Sequence, residues 1–182
     1  IPPEPLMFMK PTTALLSPGG AIELPAQSSL VHHEGELAVV IGRRARRVDA
    51  ARAREVVLGY TCANDVTARD IQRREKRYTR GKGFDTFCPL GPAVRLASGF
   101  EAASQEVICR VNGEPRQRSG VDDLIFDIPT VISFVSHVMT LLPGDVILTG
   151  TPMGVGPLEA GDEVEVEVSG VGVLRNRVEA RD

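Results

Sequence analysis

Glu34-Gly35-Glu36-Leu37-Ala38-Val39-Val40-Ile41-Gly42 is the stretch on which the reading of this chain turns. Residues 36–42 form an apolar run of strand length that ends on glycine, the pattern of a buried strand. On a strand, residues i and i+2 point to the same face, so Glu34 and Glu36 stand side by side at its mouth. Like charges ~4 Å apart cost about 4 kcal/mol at an effective dielectric of ~20. A hard divalent cation between them removes that cost. A donor set made only of oxygens favours magnesium, calcium or manganese over zinc. An isolated Glu-x-Glu is ordinarily a solvated strand end, so the assignment depends on what else the chain brings to the pair.

Residues 60–87 supply the rest. Residues 59–64 read as a second strand. Residues 66–76 contain helix formers and no Gly or Pro, which predicts a helix beginning near Asp65. On such a helix Asp65, Arg69 and Gln72 fall at i, i+4 and i+7, one face. That face offers a third carboxylate for a metal, a guanidinium able to grip a carboxylate, and an amide. A loop with Lys82 between Gly81 and Gly83 follows, where glycine permits close backbone approach. A lysine there can bind an anionic substrate or stabilise an enolate. Singly, Asp65 could only cap a helix and Arg69 only bridge it. Together they point to a metal site beside an anion site.

These motifs resemble the fumarylacetoacetate hydrolase family. The likeness is carried by residues 34–42, by Asn64-Asp65-Val66-Thr67-Ala68-Arg69-Asp70, and by residues 81–92, which begin Gly81-Lys82-Gly83-Phe84-Asp85. Downstream, Pro143-Gly144-Asp145-Val146-Ile147-Leu148-Thr149-Gly150-Thr151-Pro152 and Gly154-Val155-Gly156-Pro157 fit the same pattern, and Pro5-Leu6-Met7-Phe8-Met9-Lys10-Pro11 fits near its start. The resemblance implies that Glu34, Glu36 and Asp65 hold Mg²⁺, with Mn²⁺ or Ca²⁺ as alternatives. It also implies that Arg69, Gln72, Lys82 and Thr151 surround the substrate, with the backbone near Gly150 assisting. Thr151 rests on the resemblance alone. So does a homodimer.

The composition suits a globular enzyme domain. The 182 residues are 42% hydrophobic and 25% charged, near ordinary averages and enough for one domain with a sizeable core. Aromatics make up 4% with no Trp, which leaves the core to Val, Leu, Ile and Ala. A net charge of -3 argues against general nucleic-acid affinity. Cys62, Cys88 and Cys109 are odd in number and lack metal-type spacing, which points to a reducing cytoplasm. Neither a membrane span nor a signal peptide is visible. Ile1 is not an initiator methionine, which suggests one catalytic domain trimmed of a short N-terminal segment.

Further along, residues 49–57 predict a short helix capped by Asp49. Residues 106–111 and 114–118 flank Asn112-Gly113, the strongest short hairpin signal. Asp127 caps a predicted helix through residue 141 with apolar residues at helical spacing. Residues 146–149 read as a buried strand. Residues 163–168 alternate Glu and Val, and residues 174–178 are placed to pair with them. The pattern is α+β, with a large mixed, mostly antiparallel β-sheet and a few helices. The family's fold is a roll of that kind.

Other signals are weaker. The arginines at 43, 44, 46 and 47 read as a solvated loop, and those beyond Gln72 mostly as surface. His32 and His33 precede Glu34, and alternation sends only His32 to the carboxylate side. His137 reads as a packed or interface residue. A 2-oxo acid can chelate one metal through adjacent carboxylate and carbonyl oxygens, and a shared enolate then serves hydrolysis, decarboxylation or isomerisation. Hydrolytic members of the family carry a His and a Glu on a short helix ahead of the region matching residues 5–11, and nothing here fits that pair. Either the pair was lost with the trimmed start or the protein does not hydrolyse. Residues 80–87 resemble the isomerase and decarboxylase members more. The expectation is therefore a 2-hydroxyhepta-2,4-diene-1,7-dioate isomerase or an oxaloacetate decarboxylase, with an acylpyruvate hydrolase as runner-up. A non-catalytic metal- or anion-binding module is the rival from another class. It predicts damage among Arg69, Gln72, Lys82 and Thr151, and all four are intact.

Overall fold

A computed structural model describes residues 1–180. In chain order the strands and helices are β1 (Leu15–Leu16), β2 (Ala21–Leu24), β3 (Val31–His32), β4 (Gly35–Ile41), β5 (Val57–Asn64), β6 (Thr67–Ala68), α1 (Arg69–Glu75), α2 (Tyr78–Lys82) and β7 (Cys88–Leu96). They continue with β8 (Glu106–Val111), β9 (Glu114–Gly120), α3 (Ile128–Val138), β10 (Val146–Leu148), β11 (Glu163–Val168) and β12 (Gly172–Ala180). The architecture is α+β, mixed and mostly antiparallel. The strands divide between two five-stranded sheets, ordered β1-β7-β5-β4-β10 and β2-β12-β11-β8-β9, and a small pair, β3-β6. The parallel pairings are β1 with β7 and β2 with β12.

All seven residues of β4 are buried. The two large sheets pack on each other through β4, β5 and β7 on one side and β8, β11 and β12 on the other. This explains why residues 37–41 are apolar without alternation: both faces of the strand are covered. The β11 strand keeps its alternation, with Val164, Val166 and Val168 buried and Glu163 exposed. Asn112 and Gly113 both have positive φ, 53° and 79°, as the tight turn between β8 and β9 requires. The Asp127 side chain accepts from Thr130 N–H at 2.9 Å and caps α3.

Three elements differ from expectation. The first long helix begins at Arg69 rather than near Asp65, because residues 67–68 are drawn out to pair with residues 31–32. α3 ends at Val138 rather than at 141, where the chain extends and Leu141 exchanges backbone hydrogen bonds with Ala45. Residues 50–56 form a 3-10 helix, and Asp49 makes no side-chain cap bond to it. Among the described residues, no helix is long and apolar enough to cross a membrane.

Candidate metal and substrate site

Strand register assembles the acidic cluster. β4 and β5 pair so that Gly35 faces Asn64 and Glu36 faces Ala63. The residue after β5, Asp65, therefore arrives beside Glu34 and donates its N–H to Glu34 O at 2.9 Å. The carboxylates of Glu34, Glu36 and Asp65 each offer an oxygen within 4.8 Å of the others, and all three residues are buried. Asn64 steadies the turn by accepting from Glu34 N–H at 2.9 Å. β10 runs along the other edge of β4, with Leu148 opposite Ala38. That register carries the chain on to Gly150, whose N–H donates to Glu36 Oε2 at 2.6 Å.

Three cations serve these carboxylates. Lys82 Nζ reaches Glu34 Oε2 at 2.8 Å and Asp65 Oδ2 at 2.5 Å. Lys10 Nζ reaches Asp65 Oδ1 at 2.5 Å. Arg69 Nη2 bonds Glu34 Oε1, and its Nη1 donates to Gln72 Oε1 at 2.7 Å. Burial works against the Lys82 charge, yet Asp65 and Glu34 outweigh it and hold the ammonium above its usual range. Glu36 is the opposite case. Burial, then Asp65, pushes its carboxyl well above the usual range, against the pull of the Gly150 N–H. Three buried acids with oxygen-only donors fit a hard divalent cation, which would replace their mutual repulsion with attraction.

The cluster lies in the lining of a cavity of about 760 Å³ that also takes in Phe8, Lys82, Gly150 and Thr151. Phe8 sits over Lys82, its ring centre 4.9 Å from Nζ, and stacks on Tyr78. Lys82 is thus brought to the acids as expected, but from the end of α2 rather than from a loop. Gly81 and Gly83 allow this. A Cβ at Gly83 would stand 2.5 Å from Thr79 O, and one at Gly81 3.1 Å from Ala68 O. Arg69 and Gln72 share a face of α1, as their spacing predicts. Asp65 is not on that helix, and neither Arg69 nor Gln72 lines the cavity. Arg69 stands behind Glu34 and grips it, and Gln72 in turn holds Arg69.

The histidines fall elsewhere. Imidazole Nδ1 of the buried His33 lies 3.0 Å from Gln117 Oε1, and burial lowers its pKa. His32 is half-buried on β3, and its pKa is lowered by burial and then by Arg69. His137 is exposed on α3 rather than packed, its ring nitrogen against Ser133 O at 2.9 Å. The three thiols are free and buried, and burial pushes Cys88 up to about 11 and Cys109 up to about 12, so they are inert. Sequence reasoning assigned no role to Lys10 or Gln117. Lys10 lies in an irregular segment without periodicity. Gln117 stands between two arginines on a polar strand and looks solvated.

The family model described as fumarylacetoacetate (FAA) hydrolase C-terminal matches residues 1–179. The chain belongs to this family. A solved structure described as 5-carboxymethyl-2-hydroxymuconate delta-isomerase from Mycobacterium smegmatis is similar at 52% identity and a TM-score of 0.97, covering 100% of this chain and 71% of that one. The mitochondrial oxaloacetate tautomerase of Arabidopsis thaliana is 42% identical across 100% of this chain and 83% of its own length. A maleylpyruvate hydrolase from a Sphingobium species, solved with manganese(II) and pyruvate, is 39% identical with a TM-score of 0.90, covering 96% of this chain and 64% of that one. This fumarylacetoacetate hydrolase family chain thus resembles proteins described as isomerases, tautomerases and hydrolases, one of them in complex with manganese(II) and pyruvate.

Proposed function

We propose that this chain is a divalent-metal-dependent enzyme acting on a small anionic 2-oxo acid, as an isomerase or tautomerase of 2-oxo diacids or as an oxaloacetate decarboxylase. One observation carries the reading: three buried carboxylates, Glu34, Glu36 and Asp65, share one cavity with the buried ammonium of Lys82. The names of relatives at 42% and 52% identity support the reaction type.

Glu34, Glu36 and Asp65 would hold Mg²⁺, with Mn²⁺ or Ca²⁺ able to serve in its place. A bound cation would polarise a carbonyl oxygen and stabilise the negative charge that develops there. The charge balance suggests the ligand class. Three carboxylates are matched by Lys10, Lys82 and Arg69, so a divalent ion leaves the cluster at +2, the complement of a dianion. Lys82 would set its ammonium against the oxygen that gains charge. Arg69 holds Glu34 and is itself held by Gln72. To meet a substrate carboxylate, either would have to release a bond it now makes and turn toward the cavity. Gly150 and Thr151 close the opposite edge.

The runner-up, carbon–carbon bond hydrolysis, is favoured by the likeness to the maleylpyruvate hydrolase. Side-by-side assays with Mg²⁺ separate the two. Oxaloacetate should be decarboxylated or tautomerised well above background, while acetylpyruvate should be cleaved poorly. General-base assistance is worth ~10²–10⁴-fold, so brisk acetylpyruvate hydrolysis would reverse the order. We also propose a homodimer in a reducing cytoplasm, with no nucleic-acid or membrane partner. The free buried thiols suit that compartment, and sedimentation velocity tests the dimer.

A further inference from the structure

We infer that Gln117 of β9 is the positioning residue that clamps the Gly150 and Thr151 edge of the site to the strand bearing Glu34 and Glu36. The inference takes the location of the site from the functional reading above. Gln117 is 1% exposed on an otherwise polar strand and does not line the cavity. Its amide is fully used. Oε1 accepts from Gly35 N–H at 2.9 Å and lies 3.0 Å from His33 Nδ1. Nε2 donates to Thr151 Oγ1 at 2.7 Å and to Pro152 O at 2.8 Å.

The orientation of that amide follows from its partners. Gly35 N can only donate and Pro152 O can only accept, so Oε1 and Nε2 cannot be exchanged. His33 Nδ1 must then carry the hydrogen toward Gln117. Thr151, receiving from Gln117, gives its own proton to Gly35 O at 2.9 Å. A closed ring of hydrogen bonds therefore runs from Gly35 N–H through Gln117 and Thr151 back to Gly35 O. Gly35 lies between two of the acids, and Gly150 N–H holds Glu36, so the ring fixes both edges of the site relative to one another. Backbone crowding commits the same arrangement independently. A Cβ at Gly154 would stand 2.1 Å from Arg116 O, and one at Gly35 would stand 2.9 Å from Cys109 Cβ. Glycine at both places lets the β8–β9 hairpin close on the site. An apolar side chain at 117 would fill the space but leave Gly35 N–H and His33 Nδ1–H without their acceptor and Pro152 O without its donor, and the loop would move to find water.

The test uses the full chain with Gln117→Met, Gln117→Glu, Thr151→Val and the Gln117→Met/Thr151→Val double variant. Amide hydrogen exchange without added metal should be at least tenfold faster across residues 149–153 in Gln117→Met. With Mn²⁺ bound, oxalate affinity should fall at least tenfold while Mn²⁺ affinity stays within threefold. The double variant should lose no more oxalate affinity than the weaker-binding single one, since both changes break one ring. Gln117→Glu keeps the shape but has no hydrogen to donate as a carboxylate and only one, for Thr151 and Pro152 together, as a neutral acid. It should therefore also weaken oxalate binding, while Gln117→Met, neutral and close in volume, remains decisive if a buried charge prevents folding. Unchanged exchange at 149–153, additive losses, or wild-type oxalate binding by Gln117→Glu would each overturn the role. A wild-type chain that binds neither Mn²⁺ nor oxalate would count against the functional reading alone, because the exchange rates judge Gln117 without either ligand.

Discussion

Among the described residues, no lysine or arginine lies within ion-pair reach of Glu36, whereas Lys10, Lys82 and Arg69 serve Asp65 and Glu34. Burial raises its folded pKa above the unfolded value near 4.5. The fold therefore retains a proton that the unfolded chain has released, and metal-free stability should fall as pH rises above that value. Mn²⁺ at about 100 times its Kd should add about 2.7 kcal/mol, roughly 5–11 °C in Tm. Glu36→Gln should raise Tm of the chelator-treated protein at neutral pH and abolish the Mn²⁺-induced rise, and calorimetry with and without Mn²⁺ reads both signs. A metal-induced rise that survives Glu36→Gln would remove Glu36 from the ligand set. Lys82 separates charge from chemistry. Its ammonium bonds the oxygens that a cation would use, so Lys82→Met should leave Mn²⁺ affinity unchanged or tighter while turnover of oxaloacetate falls ~10²-fold or more. Equal losses in both would make Lys82 a structural ion pair only. Both residues are legible in the sequence, since Glu-x-Glu ahead of an apolar run and Gly-Lys-Gly are local patterns. Lys10 and Gln117 are not, because their partners lie 55 residues away for Lys10 and 34 to 84 residues away for Gln117.

At the scale of elements, the readable parts were those with local signals. The β8–β9 hairpin, the alternating β11 and the capped start of α3 all follow from neighbouring residues. The start of α1 does not. The lack of Gly and Pro leaves residues 66–68 open to helix, but Val66 and Thr67 are β-branched and the two-residue pairing with Val31 and His32 draws the chain out, a long-range contact that no window reveals. The split into two sheets and the parallel partners of β1 and β2 are hidden for the same reason. Loop 149–156 shows how element geometry reaches the site. Gly144 and Gly154 both have positive φ, 93° and 101°, but a Cβ at Gly144 meets nothing within 4 Å whereas one at Gly154 collides with Arg116 O. Gly144→Ala should cost only backbone strain, about 1–2 kcal/mol, or roughly 2–8 °C in Tm, with turnover unchanged. Gly154→Ala should lower Tm further and weaken oxalate binding by tenfold or more, since the loop must lift from β9. Matching the melting and inhibition data of the two variants checks this, and identical behaviour would show that loop 149–156 is uncoupled from the site.

Over the whole molecule the net charge is -3, which by itself would repel a dianion. The charges are not evenly spread. Residues 69–82 hold seven Lys and Arg against two acids, a local balance of +5. Arg69 at the head of α1 touches Glu34, and Arg73 and Arg74 follow about one turn on, exposed to solvent. A positive field beside the acidic floor would draw an anionic substrate without adding a contact in the transition state. Such attraction is screened as the Debye length shrinks from ~30 Å at 0.01 M salt to ~8 Å at 0.15 M. The kcat/KM for oxaloacetate should therefore fall severalfold across that range while kcat holds steady. Arg73→Glu/Arg74→Glu should flatten the dependence and lower kcat/KM at low salt, with Mn²⁺ affinity and Tm close to wild type, because neither side chain reaches the cluster. A salt response that persists in this variant would move the steering charge to Lys82, within the cavity itself.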